Sequence, residues 1–259
     1  MNMAQDRYRI GKVYISATNP KDAEDRLTQA ALDGVNGYVC VSNVRTVYMA
    51  NHDKDYCDLM NNAFMCTPDG MPLTWMARLW GRKDVNRTDG PDLFMSMLSK
   101  SENGVKHFLF GDTDETLMKM RQKFSDAQIV GVYSPPFLPL EEYDLQNMAD
   151  KINASGANIV WFSLRSPKQD YLAQRLQPLL QNKLCIGVGA AFRFALGEYK
   201  HPNRMVQKLG LTGFFWRKIG LKEMWLYCKY MIFIALRGGV FCFPVYSSVV
   251  NSNLRYSVR

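Results

Sequence analysis

Gly37-Tyr38-Val39-Cys40-Val41-Ser42 is a short apolar run closed by the polar pair Ser42-Asn43, and Val44 to Asn51 follows at once with helical spacing. Apolar residues at both alternations leave no face for water. Such a run belongs inside a sheet covered on both sides.

The same unit recurs in both directions. Val13 to Ser16 has strand character, and Pro20 to Leu32 follows with helical periodicity behind a capping Asn19. Ala63 to Cys66 leads into the turn Thr67-Pro68-Asp69-Gly70, and Met71 to Leu79 is again helical. His107 to Phe110 ends in Gly111-Asp112-Thr113-Asp114 and gives way to a helix from about Glu115. Ile129 to Tyr133, Ile159 to Leu164 and Cys185 to Val188 complete the apolar runs. Strands alternating with crossover-length helices predict an α/β fold: a mostly parallel, Rossmann-like sheet with helices on both faces.

The texture changes near His201. From there to Arg259 the one acid is Glu223, against Arg204, Lys208, Arg217, Lys218, Lys222, Lys229, Arg237, Arg255 and Arg259. Trp225, Leu226, Tyr230, Phe233 and Ile234 are interleaved with the cations. The expected organisation is an α/β core over residues 1–202 and a basic, aromatic-rich helical appendage over 203–259. The appendage suits the surface of a membrane, with packing on the core or on another subunit as the plainer reading.

Composition agrees with a folded chain that meets anions. Of 259 residues 47% are hydrophobic, enough for one substantial core. The formal net charge of +8 suits nucleic acid, anionic lipid or a phosphorylated small ligand. No RNA-binding or helix-turn-helix signature accompanies it, so nucleic acid is not the expected partner. The six cysteines show no metal spacing and suggest reduced core thiols. MNMAQDRYRIGK lacks an apolar h-region, and no run of about 20 uncharged apolar residues occurs. A cytoplasmic chain, peripheral at the inner face of the membrane, is the expectation.

In open α/β sheets ligands bind beyond the carboxyl ends of the strands, which directs attention to the loops there. Asn43 can cap the following helix or hold a phosphate at its N-terminus. Asp69, between Pro and Gly, is a common turn residue, or a base for a sugar hydroxyl if partly desolvated. Arg87, in Arg87-Thr88-Asp89-Gly90-Pro91-Asp92-Leu93, can clamp a diphosphate, or lie solvated while Asp89 caps a helix. Tyr133, in Gly131-Val132-Tyr133-Ser134-Pro135-Pro136-Phe137, can wall a nucleotide base or belong to a rigid connector. In Ser166-Pro167-Lys168-Gln169-Asp170, Lys168 is a candidate phosphate partner and Gln169 a candidate for a sugar or base edge. Gly189, in Gly187-Val188-Gly189-Ala190-Ala191-Phe192, permits close backbone approach to a ligand. Neither a dinucleotide fingerprint nor a P-loop is present. Asp112-Thr113-Asp114 spells a metal-binding DxD, but its strand-end position suggests a helix-capping pair.

Taken in order, VSNVRTVYMA, TPDGMPLTWMARLWG, the R-T-D-G-P-D-L run, HFLFGDTDE, GVYSPPF, SPKQD and IGVGAAFRFALGEYKHP resemble the WecG/TagA/CpsF family of bacterial glycosyltransferases. The similarity runs from about Val13 to Pro202, with a weaker echo to about Arg237. It implies an inverting transferase that moves a sugar from a UDP-sugar to an undecaprenyl-diphosphate-linked sugar in surface polysaccharide synthesis, without a metal or other cofactor. It implies Asp69 as the base. It also places Arg87 and Gln169 in the active-site pocket. The loops themselves add Asn43, Asp92, Tyr133, Lys168 and Gly189 as substrate-binding candidates, and the basic tail adds Arg217 and Arg237 to meet diphosphate charge. A homo-oligomer is compatible with it.

Three positions depart from the family pattern. Val41 stands where Thr is frequent, Arg193 where an acid is usual, and Thr212-Gly213-Phe214 where Glu-Trp is usual. Val41 and Arg193 sustain an alternative, a catalytically inactive nucleotide-sugar-binding scaffold in a polysaccharide assembly complex.

Overall fold

The computed structural model describes residues 6–100, 104–200 and 221–238. Its first strands, β1 (Arg7–Ile10) and β2 (Val13–Ser16), form a two-stranded antiparallel sheet. The remaining strands are β3 (Gly37–Ser42), β4 (Met65–Pro68), β5 (His107–Gly111), β6 (Ile129–Tyr133), β7 (Ile159–Ser163) and β8 (Leu184–Gly187). They make one six-stranded sheet in the order β4-β3-β8-β7-β5-β6, with every adjacent pair parallel.

In chain order the helices are α1 (Pro20–Leu32), α2 (Val44–His52), α3 (Lys54–Asn62), α4 (Met71–Leu79), α5 (Gly90–Ser99), α6 (Asp114–Lys123), α7 (Leu145–Ala154), α8 (Lys168–Leu176), α9 (Ala191–Leu196) and α10 (Leu221–Gly238). Strand alternation sorts them into two layers. Tyr38, Cys40, Val160 and Phe162 join a core with α2, α3, α4, α7 and α8. Val39, Val41, Ile159 and Trp161 join the opposite core with α1, α5, α6 and α9. The expected parallel sheet with helices on both faces is what the chain builds.

This layering positions the site. The loops after β3 and β7 lead to α2 and α8 on one face, whereas those after β8 and β5 lead to α9 and α6 on the other. Neighbouring strands that send their connections to opposite faces open a crevice at their carboxyl ends.

Three expectations need correction. Val13 to Ser16 is a strand but not part of the parallel sheet. A tight turn at Gly11-Lys12 folds it back on Arg7–Ile10, and Tyr8, Ile10, Val13 and Ile15 bury one face of that hairpin. Asp112 and Asp114 do not form the capping pair: Thr113 caps α6, accepting from the Thr116 N–H at 3.2 Å. In α10, Tyr230 and Ile234 are not interfacial. They are buried in the core, with the Tyr230 ring 4.6 Å from that of Tyr48 on α2. Burial of two such side chains is worth about 1.5–3 kcal/mol each. The helix instead exposes Trp225, Ile232 and Leu236 along one stripe, at spacings of seven and four residues. Among the described residues no helix is long and apolar enough to cross a membrane.

Candidate active site

The edge strand β4 delivers Asp69 to the carboxyl end of the sheet. Its backbone N–H donates to the Ser42 carbonyl at the end of β3 (2.8 Å), and the Pro68 carbonyl accepts from Thr88 N–H (2.9 Å). Two long-range bonds therefore seat the Pro68-Asp69-Gly70 turn between β3 and the segment before α5. Arg87 completes the seat. Its Nε donates to the Asp69 carbonyl at 3.2 Å, and a terminal guanidinium nitrogen lies 3.6 Å from Asp69 Oδ1. The same side chain forms a close ion pair with Asp89, which is buried and caps α5 by accepting from Asp92 N–H at 2.9 Å. Arg87 is thus not solvated, and Asp89 both caps a helix and anchors the guanidinium.

Asp69 is half-buried, with 23% of its side-chain surface accessible. Burial pushes its pKa up to about 8; Arg87 opposes that, while Asp89 and Asp92 add like charge. A carboxyl that exchanges its proton near neutral pH is tuned for acid–base work.

The glycine-bearing loop after β8 closes against this group. A Cβ on Gly90, at the start of α5, would lie 2.9 Å from the Val188 carbonyl oxygen. Only a glycine lets α5 approach the backbone there. Gly189 takes a positive φ of 60°, its N–H donates to Gln169 Oε1 at 3.1 Å, and its carbonyl accepts from Ser163 Oγ at 2.6 Å. Gln169 Nε2 donates to Ser166 Oγ at 3.0 Å. Gln169 is buried, and both ends of its amide tie the Ser166 turn to the glycine loop. Arg45 extends the tie to α2, donating to the Ser166 carbonyl at 3.1 Å.

Asn43 caps α2: its Oδ1 accepts from Arg45 and Thr46 N–H at 3.0 and 3.2 Å, and Thr46 Oγ1 accepts from Asn43 N–H at 2.9 Å. The cap uses its oxygen and not its amide nitrogen. Asp92 lies exposed in the first turn of α5. Asp69, Asn43, Arg87, Asp92, Gln169 and Gly189 therefore gather around the ends of β4, β3, β8 and β7.

Tyr133 and Lys168 lie apart from Asp69. Tyr133 ends the opposite edge strand β6, five strand spacings or about 24 Å from β4 across the sheet. Its ring packs on Phe110 at 5.2 Å, under Lys151 Nζ at 4.6 Å. Lys168 Nζ donates to the Leu138 carbonyl and sits 4.5 Å over the Tyr143 ring, which braces the Pro135-Pro136-Phe137 loop. Arg217 falls outside the described residues. Arg237 lies on α10, with its side chain outside the description.

The sequence reading missed one pair. Arg193 forms a bidentate ion pair with Asp112, with both contacts at 2.8 Å. Burial raises the Asp112 carboxyl, but the hydrogen bonds and charge of Arg193 outweigh it and hold it below the ordinary carboxylate range. The unusual cation, on the helix after β8, is neutralised from the end of β5, two strands away. The positive φ of Asp112 (59°) was not legible beforehand. Among the described residues no three His, Cys, Asp or Glu side chains are grouped so as to hold a metal ion.

Residues 8–225 match the model of the Glycosyl transferase WecG/TagA/CpsF family. The chain is also similar to two proteins named N-acetylglucosaminyldiphosphoundecaprenol N-acetyl-beta-D-mannosaminyltransferase. One is from Bacillus spizizenii, 26% identical over 63% of this chain and 63% of the relative. The other is from Bacillus subtilis, 23% identical over 70% of this chain and 71% of the relative. The match to the first spans less than two thirds of that relative's length. With the family model covering most of the chain and a parallel α/β sheet beneath the site, this protein belongs to the Glycosyl transferase WecG/TagA/CpsF family.

Proposed function

We propose that this chain is an inverting glycosyltransferase that moves an N-acetylhexosaminyl-type sugar from a UDP-sugar to a sugar on undecaprenyl diphosphate, at the inner face of the membrane, in surface polysaccharide synthesis. One observation carries the reading: Asp69 is held half-buried at a strand end beside Arg87, with its pKa raised to about 8. The names of the two relatives supply the substrate class.

The chemistry follows from that pair. The acceptor hydroxyl attacks the anomeric carbon from the face opposite the nucleotide and loses its proton to the Asp69 carboxylate. The new C–O bond forms as the bond to the diphosphate oxygen breaks, and UDP leaves with the electron pair. Its developing charge needs cations or N–H donors, since the expected reaction uses no metal. Arg87 stands beside the base. Arg217 and Arg237 are further candidates. The Arg193–Asp112 pair favours an active enzyme over an inert scaffold, because the cation that departs from the family pattern is neutralised rather than left bare.

A panel of UDP-sugars with a short-chain prenyl-diphosphate-sugar acceptor, assayed by UDP release, tests the reading. Turnover with at least one donor, dependent on acceptor and lost in Asp69→Asn, is the expected result. UDP binding with no turnover on any acceptor would favour the scaffold.

A further inference from the structure

The arginines at the carboxyl ends of the strands differ in their partners. Arg87 is paired with Asp69 and Asp89, and Arg193 with Asp112. Arg45 is half-buried, and among the described residues no carboxylate forms an ion pair with it. Of the several N–H donors on its guanidinium one is used, an Nη1 donation to the Ser166 carbonyl at 3.1 Å. A half-buried cation without a counter-charge is disfavoured. Its place in the first turn of α2 also sets it against the helix dipole. Neither burial nor helix stability accounts for Arg45; an incoming anion would supply the missing charge.

The tip of Arg45 lies over the end of β8. In the sheet order β3-β8-β7, Arg45 follows β3 and Ser166 follows β7. A Cβ on Gly187, the last residue of β8, would fall 2.7 Å from Gln169 Nε2, which donates to Ser166 Oγ at 3.0 Å. The Ser166 turn therefore reaches across β8 to meet Arg45. The connections diverge at this point: those after β3 and β7 leave to one face, and Gly189 leads to α9 on the other. Asn43, at the head of α2, keeps an amide nitrogen with no partner among the described residues.

Inversion identifies the anion. The acceptor hydroxyl and the leaving oxygen stand on opposite sides of the anomeric carbon, so the diphosphate begins at least about 7 Å from the base oxygen. Arg87 touches Asp69 itself and belongs to the hydroxyl side. The end of β8 lies two strand spacings, about 10 Å, from β4, the separation a leaving diphosphate requires. The acceptor carries a diphosphate too, but on the Asp69 side of the reacting carbon, beyond its own sugar. We propose that Arg45 binds the diphosphate of the donor and meets the charge that the leaving UDP develops, with Asn43 Nδ2 as a neutral donor beside it. The identity of the anion rests on the transferase reading above, whereas the unpaired cation does not.

The test uses the full chain. UDP is titrated by calorimetry into the unaltered protein, Arg45→Ala, Arg45→Gln, Arg45→Lys and Lys123→Ala, the last an exposed lysine of α6 on the opposite face. Arg45→Ala and Arg45→Gln should weaken UDP binding at least about tenfold, Arg45→Lys less than either, and Lys123→Ala less than about twofold. Glutamine can still donate to the Ser166 carbonyl, so full recovery in Arg45→Gln would make Arg45 a brace and overturn the proposal. Steady-state kinetics divide donor from acceptor: in Arg45→Ala, kcat/KM for the UDP-sugar should fall at least about tenfold with the acceptor KM within about twofold. A loss confined to the acceptor KM would overturn the assignment, as would no binding of UDP by the unaltered chain. UDP binding that depends on Arg45, without turnover on any acceptor, would leave this site standing and count against the transferase reading alone. If Arg45→Ala does not fold, Arg45→Gln and Arg45→Lys make the same comparison.

Discussion

Arg87 grips Asp69 through both main chain and side chain: Nε donates to the Asp69 carbonyl at 3.2 Å while the guanidinium lies 3.6 Å from the carboxylate. The buried Asp89 holds the other side of the guanidinium. One cation thereby fixes where the carboxylate sits and limits how far burial raises its pKa.

Loss of the base should be felt in turnover rather than in folding. Asp69→Asn is expected to lower kcat at least about a hundredfold, the usual worth of a positioned base, with an unchanged circular dichroism spectrum. A rate near that of the unaltered protein would remove Asp69 from the role.

The same carboxyl makes a prediction about stability. Its folded pKa, about 8, lies above its unfolded value of 3.8, so between those pH values the folded state binds more protons and stability falls as pH rises. Asp69→Asn should therefore raise Tm relative to the unaltered protein at pH 8. The difference should vanish near pH 4. Thermal melts across that range check the sign.

Removing the cation should shift the pH profile. Without Arg87 the positive charge that lowers the Asp69 pKa is gone, and the acidic limb of kcat/KM in Arg87→Ala should move to higher pH by about one unit or more. An unmoved limb would separate Arg87 from the ionisation of Asp69.

Arg193 and Asp112 should be energetically coupled. Arg193→Ala leaves a largely buried carboxylate without its partner, whereas Arg193→Ala/Asp112→Asn does not. A double-mutant cycle in denaturant should give about 1–2 kcal/mol, a value reduced for the partial exposure of Arg193. Because the Asp112 pKa is lowered, this contribution is present above the unfolded carboxylate pKa and is lost as pH falls through the folded one.

The two faces of α10 should separate in function. Ile234→Ala, on the buried face, should cost about 2–4 kcal/mol of stability. Trp225→Ala/Ile232→Ala/Leu236→Ala, on the exposed face, should leave stability nearly unchanged and weaken sedimentation with anionic vesicles. Unchanged sedimentation would count against a membrane role for that stripe.

The sequence by itself determined what short-range physics controls. The apolar run 37–42, the cap at Asn19 and the turn at Thr67-Pro68-Asp69-Gly70 each depend on residues a few positions apart, and each forms where periodicity and turn chemistry place it. The helical stretch Lys54–Asn62 escaped notice because it follows α2 with no apolar run between them. Only the tertiary structure decided which strand ends meet. The order β4-β3-β8-β7-β5-β6 draws Asp69, Asn43, Gln169 and Gly189 toward one another, sends Tyr133 to the far edge, and joins Arg193 to Asp112 across 81 residues. Burial and charge pairing are properties of neighbours in space. The raised pKa of Asp69 and the neutralised charge of Arg193 therefore came into view only once the chain was folded.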